Sequence, residues 1–312
     1  MMRLILILLG LAILIPLIAY WLFPRPVLYW LRDRIRARGR LALRSVRVGA
    51  FDWPYLEGGP RGGTPLLLVH GFGGDKDNWA MLAPHLTDRY HVIIPDLVGF
   101  GDNARDYDAP YDIAAQTDRL IGFMDSIGLA RAHIVGNSMG GWIALQAALD
   151  YPERLASLTL MNSAGVDGAE KSALQQLERT DKSPLVPDSV AELKALMRFI
   201  AHKPRAIPSR FMDVVFEERA RHSALLDKIF WAIVADGDER PLNGRLSEVT
   251  VPTLVIWGRE DQLIHVSCVA ELQAGIAHAD TVIFDEVGHV PMIEKPGPTA
   301  AVIRRFLAKH GH

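Results

Sequence analysis

The sequence predicts an α/β domain on a mostly parallel sheet, with a block of helices inserted late in the chain and an apolar helix ahead of it. Three observations carry this. Short apolar runs rich in β-branched residues alternate with helix-forming stretches from about residue 65 to 164. The alternation then stops, and from Gly165 to about Glu248 the pattern is helical with prolines as punctuation. It resumes after 249, so two parts of one sheet flank the insertion.

At 312 residues the chain can bury a large core and suits one sizeable domain with an insertion. Apolar content of 49% and charged content of 22% are ordinary for a globular protein. A formal net charge of -2, with no basic motif in the body of the chain, argues against a nucleic-acid partner. The lone cysteine, Cys268, excludes an intrachain disulfide and is compatible with a reducing compartment.

Residues 4–23 are uncharged and almost wholly apolar. As a helix they would span about 30 Å, the thickness of a bilayer core, and a transmembrane helix tolerates the kink at Pro16. A cleaved signal peptide is the rival reading, but the run is long for one and no A-x-A site follows. We therefore expect an uncleaved anchor over 1–23. Arg25, Arg32, Arg34, Arg36, Arg38, Arg40 and Arg44 come next, with Asp33 the only acid among them. Trp21, Phe23, Tyr29 and Trp30 sit beside these arginines as an aromatic belt does at headgroup level. Before the apolar run there is only Arg3 and the α-amino group, so the positive-inside rule puts the body of the chain on the cytoplasmic side. The basic juxtamembrane segment, 24–44, is expected to lie on the membrane as an amphipathic helix over 27–40. A solvated basic linker would leave its aromatics exposed.

The core is expected over 45–164 and 249–312. It opens with strands at 46–48 and 51–57, expected to pair as an antiparallel hairpin, then a Gly-rich turn at 58–63 and a buried strand at 65–69. A helix at 78–86, a strand at 91–96, a helix at 113–127, a strand at 133–135 with its helix, and a strand at 155–161 follow. The inserted cap, 165–248, should hold helices near 173–180, 190–202, 208–219 and 223–235. A strand at 253–257, a helix at 266–276, a strand at 281–284 and a helix at 299–309 complete the chain.

Gly136-Asn137-Ser138-Met139-Gly140 is a G-x-S-x-G pentapeptide between a strand and a helix, the setting of a nucleophile elbow. Such a turn drives Ser138 to a positive φ, and only residues without a Cβ let strand and helix approach; Gly136 and Gly140 meet that need. A glycine-rich turn with an incidental serine would look the same, so the partners must decide. A serine hydroxyl needs a base, and the base needs a group that holds its tautomer. On a doubly wound sheet both should follow later strands, at their C-terminal ends. Of the eleven histidines, His133 starts the elbow strand, at the wrong end. His85, His202, His222 and His278 lie on or beside helices, and His310 and His312 are in the tail. His289, after the last strand in a Gly-flanked loop, fits. The acid is sought after the preceding strand, where Asp261 is the candidate. Glu260 points away if Asp261 points in, Asp285 is too near His289 in sequence, and Asp167 is the substitute. His70-Gly71-Phe72-Gly73-Gly74 ends the 65–69 strand. The backbone N–H groups of Phe72 and Met139 would form an oxyanion hole, and His70 reads as a buried, hydrogen-bonded structural imidazole.

Taken together, these motifs resemble the α/β-hydrolase superfamily from about Val46 onward. The resemblance rests on His70–Gly74, Pro95-Asp96-Leu97-Val98-Gly99-Phe100-Gly101, the elbow, Trp257-Gly258-Arg259-Glu260-Asp261-Gln262 and Gly288-His289. The chain order Ser138, Asp261, His289 is the superfamily's nucleophile, acid, base order. Within it, the chain looks like the membrane-anchored monoacylglycerol lipases and related bacterial lipases. Val98 and Asn103 depart from that pattern, standing where proline and serine are common; both lie off the triad. The resemblance implies an eight-stranded sheet and hydrolysis of lipid acyl esters through a Ser138–His289–Asp261 triad. No cofactor is called for, and no His/Cys/Asp cluster has metal-ligand spacing. The expected partners are a lipid ester and, through the N-terminal helix, the bilayer. Two alternatives stay open: carbon–carbon bond hydrolases of ring-cleavage products, which share the Gly-Asn-Ser-Met-Gly-Gly elbow, and a non-enzymatic binder on the same fold. Epoxide hydrolases and haloalkane dehalogenases require an aspartate where Ser138 stands.

Overall fold

A computed structural model describes residues 2–176 and 182–310 and, within the first helix, the side chains of 2, 5, 12 and 14–22. Helix α1 (Met2–Leu22) is followed at Phe23 by α2 (Pro24–Arg38). Pro24 and Pro26 suit a helix's first turn, whose N–H groups have no partner within the helix, so a new axis starts there. Among the described residues no single helix is long and apolar enough to cross a membrane; Leu14–Leu22 and Pro24–Arg38 pass only as a pair, bent by 113°. The single spanning helix expected over 4–23 is thus not met within the described residues. Helix α2 also starts earlier than the amphipathic helix expected at 27–40. The end of the segment expected to be juxtamembrane is instead an edge strand, β1 (Ala42–Val48).

Strand β1 pairs antiparallel with β2 (Phe51–Gly58) across a two-residue turn in which Gly49 takes φ 55°. Strands β3 (Pro65–Val69) and β4 (His91–Pro95) precede α3 (Ile113–Ser126). Then come β5 (Ala132–Asn137), α4 (Met139–Asp150) and β6 (Leu155–Met161). Among the described residues three helices interrupt the sheet: α5 (Val190–Ile200), α6 (Ser209–Ala220) and α7 (Ser223–Glu239). Residues 173–176 form a turn, and the rest of the helix expected at 173–180 lies outside the described residues. The sheet resumes with β7 (Thr253–Gly258), α8 (Cys268–Gly275) and β8 (Asp280–Phe284), and the chain ends on α9 (Pro291–Glu294) and α10 (Pro296–His310).

The eight strands lie in the order β1-β2-β4-β3-β5-β6-β7-β8, parallel from β4 onward and antiparallel at β1 and β2. Side chains alternate between two buried faces, as the apolar runs require. Leu67, Val69 and Ile134 pack with α3, α4 and α8 on one face. Leu66, Leu68 and Val135 pack with α10 on the other. The strand order reverses between β3 and β5, so loops after these two strands diverge and leave a crevice at their C-terminal ends. Val69 there leads into His70, and Asn137 into Ser138.

The helix expected at 78–86 is instead two 3₁₀ turns, Lys76–Trp79 and Ala83–His85. The Asp75 carboxylate accepts from the Asp77 N–H while the Asn78 side chain accepts from the Asp75 N–H, which tightens the first turn. Pro84 offers no donor to continue it. Inside this segment Lys76 is buried, donating to Asp96 Oδ2 and to Asp102 Oδ2, each at 2.6 Å. Asp96, also fully buried, accepts from the Lys76 and Asp102 N–H groups as well. One ion pair therefore fastens the loop after β3 to the loop after β4. Replacing Lys76 by Met leaves the Asp96 charge buried without its counter-ion. We expect a loss of about 3–5 kcal/mol of stability, read as a lower denaturant midpoint at unchanged slope.

Candidate active site

Ser138 caps α4 with φ 57° and ψ -122°, a conformation that a side chain adopts only under constraint. The constraint is the fit of β5 against α4. A Cβ on Gly136 would stand 2.1 Å from the Gly140 carbonyl oxygen, and one on Gly140 would stand 2.4 Å from that of Val69. The Ser138 N–H donates to the Met161 carbonyl at 3.1 Å, and its carbonyl accepts from Gly141, Trp142 and Ala164. Both backbone groups of Ser138 thus have partners, and the hydroxyl is carried out of the sheet. It opens on a cavity of about 520 Å³ lined by Phe72, Met139, Trp142, Phe230, Ile233 and Val234, among others.

His289 and Asp261 meet. His289 Nδ1 lies 2.8 Å from Asp261 Oδ2, with both side chains buried. A carboxylate only accepts, so the proton belongs to Nδ1 and the Nε2 lone pair is left free. Asp261 is itself held by three further donors: the N–H groups of Leu263 (2.8 Å) and Ile264 (3.1 Å) on Oδ1, and Asn162 Nδ2 (2.7 Å) on Oδ2. Asn162 also donates to the Gly288 carbonyl at 3.3 Å. Asn137, next to Ser138, donates to the His289 carbonyl at 3.0 Å, which ties the elbow to the histidine loop. From below, Glu294 accepts from the Gly288 N–H at 2.9 Å. From above, Ile200 at the end of α5 accepts the His289 N–H at 2.8 Å.

The remaining candidates separate from this group. Asp167 exchanges backbone hydrogen bonds with the Asn243 side chain and lines the cavity wall, whereas Asp285 pairs with Arg259. Glu260 turns away to accept the Val287 N–H. His70 receives the Leu97 N–H on Nε2 and donates from Nδ1 to the Gly71 carbonyl, so both ring nitrogens are used; burial holds its pKa below the usual value. His133, at the far end of β5, bonds to Ser157 and is pushed down to about 4 by burial. Burial likewise pushes the Cys268 thiol up to about 12, which leaves it inert.

Phe72 lies on the loop after β3, its ring edge-on to Phe100 and to Phe230 of α7. Among the described residues the N–H groups of Phe72 and Met139 have no hydrogen-bond acceptor. Two residues that support the site escape sequence reading, Asn162 and Glu294. The only local signal for Asn162 is a polar side chain directly after the apolar β6, at the end of the sheet where Ser138 and His289 also stand.

Against known proteins, the family described as alpha/beta hydrolase fold matches residues 64–296. Lipase 3 of Moraxella sp. (strain TA144) is 36% identical over 273 residues, covering 87% of this chain and 86% of that protein. Monoacylglycerol lipase abhd6-B of Xenopus laevis is 29% identical over 316 residues, covering 96% of this chain and 93% of its own. The crystal structure of a membrane phospholipase A, a bacterial virulence factor, superposes with a TM-score of 0.89 at 36% identity over 99% of both chains. With an elbow serine between β5 and α4, a paired histidine and aspartate, and these relatives, the chain belongs to the alpha/beta hydrolase fold family and is an ester hydrolase.

Proposed function

We propose that the protein hydrolyses medium- to long-chain acyl esters of single-chain lipids, monoacylglycerols or similar, at a membrane surface. Ser138 is the nucleophile, His289 the base and Asp261 its orienting acid. His289 Nε2 takes the hydroxyl proton as Ser138 Oγ attacks the ester carbonyl carbon. The carbonyl electron pair moves to oxygen, which the N–H groups of Phe72 and Met139 receive; each such donor contributes about 3 kcal/mol in the transition state. Collapse expels the alcohol, which takes its proton from His289. Water, deprotonated by the same imidazole, then releases the acid and restores Ser138.

The observation that carries the substrate class is the cavity at Ser138. Its walls are mainly apolar, contributed by α4 and by α7 of the inserted block. This fits an acyl chain better than a polar ligand. The cap is taken as 165–248 and the core as 45–164 with 249–312. Membrane association rests on α1 and α2. Leu14, Ile15, Leu17, Ile18, Trp21 and Phe23 are all exposed, a contiguous apolar stretch of the kind that serves as an interaction surface, and the arginines of α2 follow it. The relatives' names, lipase, monoacylglycerol lipase and membrane phospholipase, point the same way. The arginine bias supports a cytoplasmic side for the core.

The test is a chain-length series of p-nitrophenyl esters and 1-monoacylglycerols with purified protein. Turnover should rise from acetyl to at least octanoyl esters and include monoacylglycerol. Fastest turnover on acetyl esters, with none on monoacylglycerol, would overturn the substrate assignment.

A further inference from the structure

A second cavity, of about 460 Å³, lies on the other side of the loop that carries Phe72. Its walls come from α2, from Gly73–Asp77, from Gly99–Asp102 with Arg105, and from the corner between α6 and α7. Its chemistry differs from that of the acyl cavity, because four arginines line it: Arg32, Arg105, Arg219 and Arg221.

The acids that share this wall are mostly spent. Glu218 accepts from Tyr29 and sits 3.5 Å from Arg25. Asp77 is engaged by Arg36 through two hydrogen bonds, at 2.6 and 2.5 Å. Asp102 is paired with Lys76. Asp75 is left: it is the acid whose charge acts on Arg219, but it lies beyond ion-pair distance and its carboxylate already accepts the Asp77 N–H; burial, with Asp77 and Asp96 nearby, pushes it up to about 7. On the basic side, Arg105 donates from Nη2 and Nη1 to the Gly101 and Asn103 carbonyls, and its Nε is buried without a partner. Arg32 lies over the Tyr29 ring at 4.5 Å, and its nearest acid, Asp33, is 3.9 Å away. Arg219 and Arg221 have no carboxylate within ion-pair distance among the described residues, and Arg219 Nε is buried without any partner. The Arg219 guanidinium lies directly over Gly73, where a Cβ would stand 2.5 Å from its Nη2.

A guanidinium shielded from water and left without an acceptor is costly unless a ligand supplies one. Arginine forks match phosphate oxygens in geometry as well as charge. We propose that Arg219 and Arg221, with Arg32 from α2, form a site for a phosphate group, that of a membrane lipid headgroup, distinct from the acyl cavity. The site rests on the reading of α1 and α2 as the membrane-facing side. An occupant would bridge α2, α6 and Gly73, and so brace the loop whose Phe72 lines the acyl cavity. Contact with a phospholipid surface would thereby favour the working form of the site.

Binding is read without turnover, using the full chain carrying Ser138→Ala in octyl glucoside micelles, which contain no phosphate. Three probes are compared: dihexanoylphosphatidylglycerol, inorganic phosphate and dihexanoylglycerol. At saturation the phospholipid should raise Tm by about 5 °C, and dihexanoylglycerol should not. Adding Arg219→Gln and Arg221→Gln together should abolish the shift, and Arg32→Gln alone should reduce it. A full shift with inorganic phosphate would support the site and assign it to the free anion; a shift with the lipid alone would support the headgroup. An equal shift with dihexanoylglycerol, no shift with either phosphate compound, or a shift that survives the double arginine substitution would overturn the proposal. Ester turnover by the unsubstituted protein is measured in parallel. Its failure would count against the proposed hydrolysis and leave the Tm result standing.

Discussion

Replacing Ser138 by Ala should lower kcat for ester hydrolysis by about 10⁶-fold while leaving the fold intact. The substitution removes only the hydroxyl. The partners that hold the elbow are backbone groups, the Met161 carbonyl and the N–H groups of Gly141, Trp142 and Ala164, and none depends on the side chain. Alanine at φ 57° is strained no more than serine is. The variant should therefore show wild-type circular dichroism and Tm, residual turnover from the oxyanion donors alone, and no labelling by a fluorophosphonate. Labelling that persists in Ser138→Ala would place the nucleophile elsewhere and remove the proposed mechanism.

The second large effect is expected at Asp261. Four donors converge on its two oxygens: the N–H groups of Leu263 and Ile264, Asn162 Nδ2 and His289 Nδ1. An asparagine amide has one accepting oxygen and one donating nitrogen, so in Asp261→Asn at least one of these donors meets an NH₂ group. If the amide oxygen keeps the Leu263 and Ile264 N–H groups, the amide nitrogen faces His289. The imidazole proton must then move from Nδ1 to Nε2, and the base is lost. A drop of about 10⁴-fold in kcat follows, with a much smaller change in KM. The measurement is steady-state kinetics on a soluble ester. A loss of less than tenfold would mean that another acid orients His289, and Asp167 would be examined next.

The parts of the site that sequence made legible are those set by local geometry or by order along the chain. Gly136, Ser138 and Gly140 announce a turn because the close approach of β5 and α4 leaves no room for a Cβ at either glycine. Asp261 and His289 could be chosen because each follows a strand whose C-terminal end the topology brings to the crevice. Asn162 follows β6 at the same end of the sheet, yet its partner Asp261 is 99 residues further on. Nothing local distinguishes it from a polar strand terminus. Lys76 looks like one more charge in an exposed-looking Gly-Gly-Asp-Lys-Asp run, and only the folded pairing with Asp96 reveals it as buried. The helix expected at 78–86 failed for a related reason: helix-forming residues there are outweighed by the Asp75 cap and by Pro84. The basic stretch after Phe23 is read from its charges and aromatics, and neither says what a helix rests on.

What α2 rests on is the rest of the protein. Arg36 grips Asp77 through both arms of its guanidinium, Tyr29 and Arg25 engage Glu217 and Glu218 of α6, and β1 continues the sheet immediately afterwards. The N-terminal region thus has two mechanically different halves. Among the described residues, those up to Leu22 meet the folded body near their end, through Tyr20 and Trp21, whereas Pro24–Arg38 is built into it. A shortened version of the enzyme that drops the exposed apolar stretch should therefore be cut ahead of Pro24. Cutting after Arg40 would strip Asp77 and Glu218 of their partners and expose the underside of the loop that carries Phe72, leaving a less stable protein.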